Sequence, residues 1–97
     1  MEIRLHPAAR QELFDAAAWY AAQAGPRVAQ DFVADYDQTR LRLAENPRIG
    51  SPSPAQTRKH MLRRFPFVLI YRPVEGGLVI VAVAHKRRRP GYWKGRS

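Results

Sequence analysis

The chain has 97 residues, 45% hydrophobic and 26% charged, with no cysteine and a formal net charge of +9. That length supports one domain, residues 1–97, around a single core, and the balance of apolar to charged residues excludes a disordered chain. A disulfide framework and a thiolate zinc site are excluded with the cysteines, and the charge favours an anionic partner, nucleic acid or an acidic protein surface, the alternative being a solvated basic face kept for solubility.

The N-terminus carries Glu2 and Arg4 where a signal peptide would be apolar, and no apolar run approaches the roughly 18 residues of a membrane span. A cytoplasmic protein without a membrane segment is expected. Glu2 to Leu5 alternate polar and apolar residues, which predicts a short opening strand ended by His6 and Pro7. From Ala8 the period becomes helical, with Leu13, Ala16, Ala17 and Tyr20 on one face, and the helix stops near Gly25. Pro26 suits the first turn of a second helix, in which Ala29, Phe32, Val33, Tyr36, Arg40 and Leu43 recur up to Asn46 and Pro47. So short a connection predicts an antiparallel helical hairpin.

Residues 47–57, PRIGSPSPAQT, read as a loop because of their three prolines, glycine and serines. Strands are predicted at Arg58 to Arg64, Phe67 to Arg72 and Leu78 to His85, the last two joined by a turn over Pro73 to Gly77. The run LVIVAVA is apolar on both faces, as a central strand requires. The fold class is therefore α+β: a β-α-α-β-β-β order with the helical hairpin on one face of a mostly antiparallel twisted sheet.

Charge follows this division. Residues 1–46 hold five Arg against seven Asp/Glu, a net −2, whereas residues 47–97 hold twelve Lys/Arg against Glu75 alone, a net +11. Its densest part is Lys86, Arg87, Arg88 and Arg89, four like charges whose mutual repulsion calls for a counter-anion. On an extended backbone, Arg87 and Arg89 would face one side and Lys86 and Arg88 the other. Trp93 is expected to pack, while Tyr92 is open to contact or catalysis. Trp19 and Tyr20 point about 100° apart on a helix, so Trp19 is expected at the edge of the core, as a candidate antitoxin contact or covered by another element. The three histidines lie at scattered positions without the helical spacing of a zinc motif, so no metal site and no cofactor are expected.

The phrases LAENPRIGSP, MLRRFPFVLIYR and VIVAVAHKRRRPGYW, in this order, resemble the ParE branch of the RelE/ParE toxins of bacterial toxin-antitoxin operons. The resemblance runs from about Ile3 to Arg96. It implies the fold read above, a cognate ParD-like antitoxin whose acidic C-terminal segment wraps the helices and sheet, and one of two targets. ParE-like members poison DNA gyrase by binding it; RelE-like members cut mRNA on the ribosome.

RNA cleavage by the 2′-hydroxyl needs a base, cations around the phosphorane and an acid, and arginine hardly exchanges protons. RelE-like nucleases resemble one another in a lysine pair, an arginine on the next strand, an arginine after the last strand and an aromatic or histidine near the C-terminus. Here the first strand after the helices has Lys59 alone, Val68 stands where the next arginine is expected, and only Arg87 with Tyr92 or Trp93 matches. A gyrase-binding toxin without catalysis of its own is therefore the expected function, plasmid stabilisation being the usual setting of the family. The nuclease alternative would use Arg87, His85 and Tyr92; a third is an antitoxin-binding module that is no longer toxic. Target contact is expected from Lys86, Arg87, Arg88, Arg89, Tyr92, Arg63 and Arg64, and antitoxin contact from Trp19, Phe14 and Tyr36.

Overall fold

In the computed structural model, which describes residues 2–96, the chain opens with strand β1 (Glu2–Leu5). Helix α1 (Pro7–Ala24) follows, one residue earlier than its periodicity suggested, because the ring of His6 caps it. His6 Nδ1 accepts the Ala8 N–H at 3.0 Å, and Pro7 gives up no hydrogen bond in the first turn. Gly25 alone joins α1 to α2 (Pro26–Glu45): its φ of 93° reverses the chain, and its N–H still closes α1 on the Ala21 carbonyl at 3.0 Å.

Four strands then follow rather than three. They are β2 (Ser51–Ser53), β3 (Thr57–Met61), β4 (Phe67–Val74) and β5 (Gly77–His85). Their sheet runs β1-β5-β4-β3-β2, antiparallel except where β1 lies parallel to β5. The additional strand β2 comes from the segment read as loop; it is an edge strand, where Pro52 is tolerated. β3 ends at Met61, so Arg63 and Arg64 belong to the connection to β4 and not to a strand. β4 runs on to Val74, which shortens the predicted turn.

The helix-side core holds Phe32, Tyr36 and Leu43 of α2 with Leu69, Tyr71, Leu78, Ile80 and Val83 of the sheet. Tyr20 and Phe65 close one end, and both pack on Phe32 with centroids 5.3 and 5.5 Å away. A second cluster forms on the opposite face from Ile70, Val81, Ala82 and Trp93. Trp93, in the C-terminal tail, is 4% exposed, so the tail rather than a second layer covers this face. A register shift at Ile70/Tyr71 sets which side chains take each face: the pairing passes from Ala82 to Ile80, and Val81 is the additional residue on β5. Val81 and Ala82 thus share the tail side while Ile80 and Val83 share the helix side.

Tyr71 ties the loop before β2 to this core. Its hydroxyl donates to the Pro47 carbonyl at 2.6 Å and accepts the Gly50 N–H at 2.9 Å. A Cβ at Gly50 would meet that oxygen at 2.6 Å, so the contact needs glycine. Tyr71→Phe is expected to cost about 1–2 kcal/mol by orphaning the Gly50 N–H, read as a lower urea midpoint with unchanged slope; an unchanged midpoint would show that water replaces the hydroxyl. Among the described residues no helix is long and apolar enough to cross a membrane.

Candidate functional site

β1 pairs with β5 only from Gly77 to Ile80, so on that side the C-terminal half of β5 has no strand neighbour. Side chains take the place of one. Glu12, on the sheet-facing side of α1, accepts the Val83 N–H at 3.0 Å, and Arg96 donates to the Val81 carbonyl at 3.0 Å. Glu12 also accepts the Tyr92 hydroxyl at 2.6 Å and two Arg96 N–H groups at 2.9 and 3.0 Å. One carboxylate therefore joins helix, strand and tail. Burial alone would raise the Glu12 carboxyl, but bonds from Arg96, Tyr92 and Val83 and the Arg96 charge outweigh it and hold it below the ordinary 4.5. The same contact, after burial itself, pushes the Tyr92 phenol far above its usual range.

The four cations after β5 do not continue the strand. The chain turns at once, with the Arg88 N–H on the His85 carbonyl at 2.8 Å and the Arg87 N–H on His85 Nδ1 at 3.1 Å. The alternation expected of an extended run is therefore absent. Lys86, Arg88 and Arg89 line one depression on the tail side of the sheet, and Arg87, also exposed, does not. Lys59 joins them from β3, since its register partner is Ile70, a residue of the tail-side cluster. The Arg88 guanidinium lies 3.9 Å from the centroid of the Tyr92 ring. His85 packs edge-on against Phe67 with centroids 5.2 Å apart, a structural position between core and turn. His60 is held below its ordinary value by burial and by the Arg42 charge.

Arg63 and Arg64 lie elsewhere. Their backbone N–H groups and that of Phe65 donate to the Asp35 carboxylate at 3.1, 2.8 and 3.1 Å, which fixes the connection against α2. Both side chains border a depression with Asp31 and Gln38 of α2. The expected target residues thus form two separate basic groups.

The partner-contact residues also separate. Trp19 is 58% exposed and lines a groove of about 540 Å³ between α1 and the end of β5, with Ala16, Phe67 and Val83 as apolar lining and Glu12, Asp15 and Arg88 as charged lining. Phe14 is 55% exposed, but five positions along a helix rotate it about 140° from Trp19, and it lies under Arg10 instead. Tyr36 is 5% exposed in the core and presents almost no surface, because the helical stripe that placed it there is the buried one.

Glu12, Asp35 and Arg96 hold the tail and the β3–β4 connection in place and were not singled out by the sequence. Glu12 lies on the same helical face as Ala16, which is a signal for a carboxylate turned inward; nothing local pairs it with residues 71, 80 and 84 positions away. Asp35 stands between Phe32 and Tyr36 in the buried stripe of α2, the corresponding signal there.

The helical hairpin on a mixed sheet, with a basic turn after β5 and a tail returning over the far face, is the small α+β fold class expected from the sequence. Residues 3–90 match the family described as ParE toxin of type II toxin-antitoxin system, parDE, and the chain belongs to that family. It is similar to Toxin ParE2 of Mycobacterium tuberculosis, in the CDC 1551 and H37Rv strains alike, with 26% identity over 88 residues, 91% of this chain and 84% of the relative. A solved structure described as the chromosomal ParDE TA system from P. aeruginosa shares the fold, with a TM-score of 0.78 at 24% identity, over 88% of this chain and 95% of that one.

Proposed function

We propose that this ParE-family toxin acts by binding DNA gyrase and interfering with its DNA cycle, without catalysis of its own, and that a cognate antitoxin neutralises it. The observation that carries this reading is the state of Tyr92. Its hydroxyl donates to Glu12 at 2.6 Å and is held strongly protonated, while its ring lies beneath Arg88. A general base must stand deprotonated near neutral pH to take up the proton of the attacking hydroxyl, and this phenol keeps its own proton in the bond to Glu12. Arg87, the cation that a nuclease would share, borders neither the tail-side depression nor the Trp19 groove.

In this reading the antitoxin takes the groove beside Trp19, which Ala16, Phe67 and Val83 line together with Arg88, Asp15 and Glu12, the last already paired with Arg96. An acidic segment that orders on binding would bury Trp19 and meet Arg88, and it needs such apolar area to offset its ordering cost. In that position it would also cover the strand-free side of β5.

The test is a supercoiling assay on relaxed plasmid, with gyrase of the source organism and toxin freed of antitoxin. Loss of supercoiling, or accumulation of cleaved plasmid, is expected. Normal supercoiling together with cleavage of ribosome-bound mRNA would overturn the reading in favour of the nuclease.

A further inference from the structure

The helix-free face of the sheet carries a concentration of charge that internal pairing does not use. Among the described residues the ion pairs are Arg40 with Asp37 and Arg96 with Glu12. Lys59, Lys86, Arg88 and Arg89 have no carboxylate partner there, and no Asp or Glu borders the depression they share. All four are exposed. They come from two distant parts of the chain. β3 delivers Lys59 by its register with Ile70, and the turn after β5 delivers the other three around Ala84 and Gly91. Four like charges brought together in this way repel one another until an anion with several spaced charges sits across them.

We propose that this depression binds the phosphate backbone of duplex DNA through Lys59, Lys86, Arg88 and Arg89. Within the gyrase reading, on which the biological setting rests, the toxin then contacts the DNA held by the enzyme as well as the enzyme itself. The surrounding aromatics select this anion. Recognition of single-stranded RNA relies on exposed rings on which unstacked bases can lie. Here Trp93 is 4% exposed in the tail-side cluster, and the Tyr92 ring is covered by Arg88. The floor offers Val68 and Ile70 already packed against the tail, so an acidic peptide would find charge but little apolar area to order upon. Regularly spaced phosphates need neither, only cations at fixed positions. Stacking on Tyr92 holds Arg88, and Tyr92 is held in turn by Glu12, so the cation is oriented before the DNA arrives.

The measurement is fluorescence anisotropy of a labelled duplex of about 20 base pairs, titrated with antitoxin-free toxin in the absence of gyrase, between 50 and 300 mM NaCl. Four phosphate contacts predict a slope of log K against log salt of about −3.6. The Lys59→Ala/Lys86→Ala/Arg89→Ala variant is expected to bring that slope to about −1 and to weaken binding on the order of 500-fold at 100 mM salt. All three side chains are exposed, and circular dichroism checks that the variant folds. Arg63→Ala/Arg64→Ala, at the separate depression beside α2, is expected to leave the slope unchanged. Absence of duplex binding at 50 mM salt would overturn the proposal. So would an unaltered slope in the triple variant, or tighter binding to single-stranded RNA or a polyglutamate peptide than to the duplex. Its failure is distinct from failure of the gyrase reading: toxin that inhibits supercoiling without binding DNA removes only the depression's role, and toxin that binds DNA without inhibiting gyrase removes only the gyrase role.

Discussion

Glu12→Ala is expected to release the C-terminal tail from the body of the protein. The variant removes the acceptor of four hydrogen bonds at once, from Val83, Tyr92 and twice from Arg96. The Arg96 and Glu12 side chains are 18% and 14% exposed, so the guanidinium loses its counter-ion where water reaches it only partly. Breaking such a pair from one side is costlier than the pair's net contribution, and the expected loss is about 3 kcal/mol, or a melting temperature lower by about 15 °C. A Trp19→Phe background leaves Trp93 as the sole tryptophan. Its emission should then move to the red in the Glu12 variant as the tail exposes it. Unchanged melting and emission would show that the tail is held by Trp93 packing alone.

Acid supplies an independent check on the same carboxylate. Its folded-state value lies below the ordinary 4.5, so its contribution is present above about pH 4.5 and disappears as pH falls through the lowered folded value. Melting temperatures of the parent and Glu12→Gln should therefore converge as the pH falls below 4.5. A gap that stays constant down to pH 2 would exclude ionisation of Glu12 as its source.

Asp35→Ala is the second large effect. Asp35 is 4% exposed, and its carboxylate accepts three consecutive backbone N–H groups from the β3–β4 connection. No residue within that connection can replace all three bonds, and Phe65, which follows Arg64, packs against Phe32 and Tyr20. Hydrogen bonds to a charged acceptor contribute more than neutral ones, so about 3–4 kcal/mol is expected from the three together. Amide hydrogen exchange should localise the change: Arg63, Arg64 and Phe65 lose protection while the β4–β5 amides keep theirs relative to global unfolding. Uniform loss would mean that the connection and the sheet open as one unit.

The main elements were legible because they bury long periodic faces. Phe32, Tyr36 and Leu43 recur at helical spacing and all reach the core, and the LVIVAVA run reads as a strand covered on both sides. β2 was not legible: three residues, one of them proline, carry no period, and only their neighbour β3 makes them a strand. Neither was the bulge at Val81, since an additional residue in an apolar run changes which face each side chain takes without changing composition. Among the site residues, Trp19 at the edge and Trp93 in the packed tail were read from local pattern alone.

By its own order of residues the sequence determined the element types, the helical hairpin, the charged half and the family, because periodicity, turn chemistry and charge are local properties of the chain. Only the tertiary structure decided which cations lie together. It divided Arg63 and Arg64 from Lys86, Arg88 and Arg89, brought in Lys59 from another strand, and bound the tail to Glu12. The physical reason is distance along the chain. A carboxylate that satisfies groups 71 to 84 residues away, or a lysine set beside a turn by strand register, leaves no periodic trace around itself.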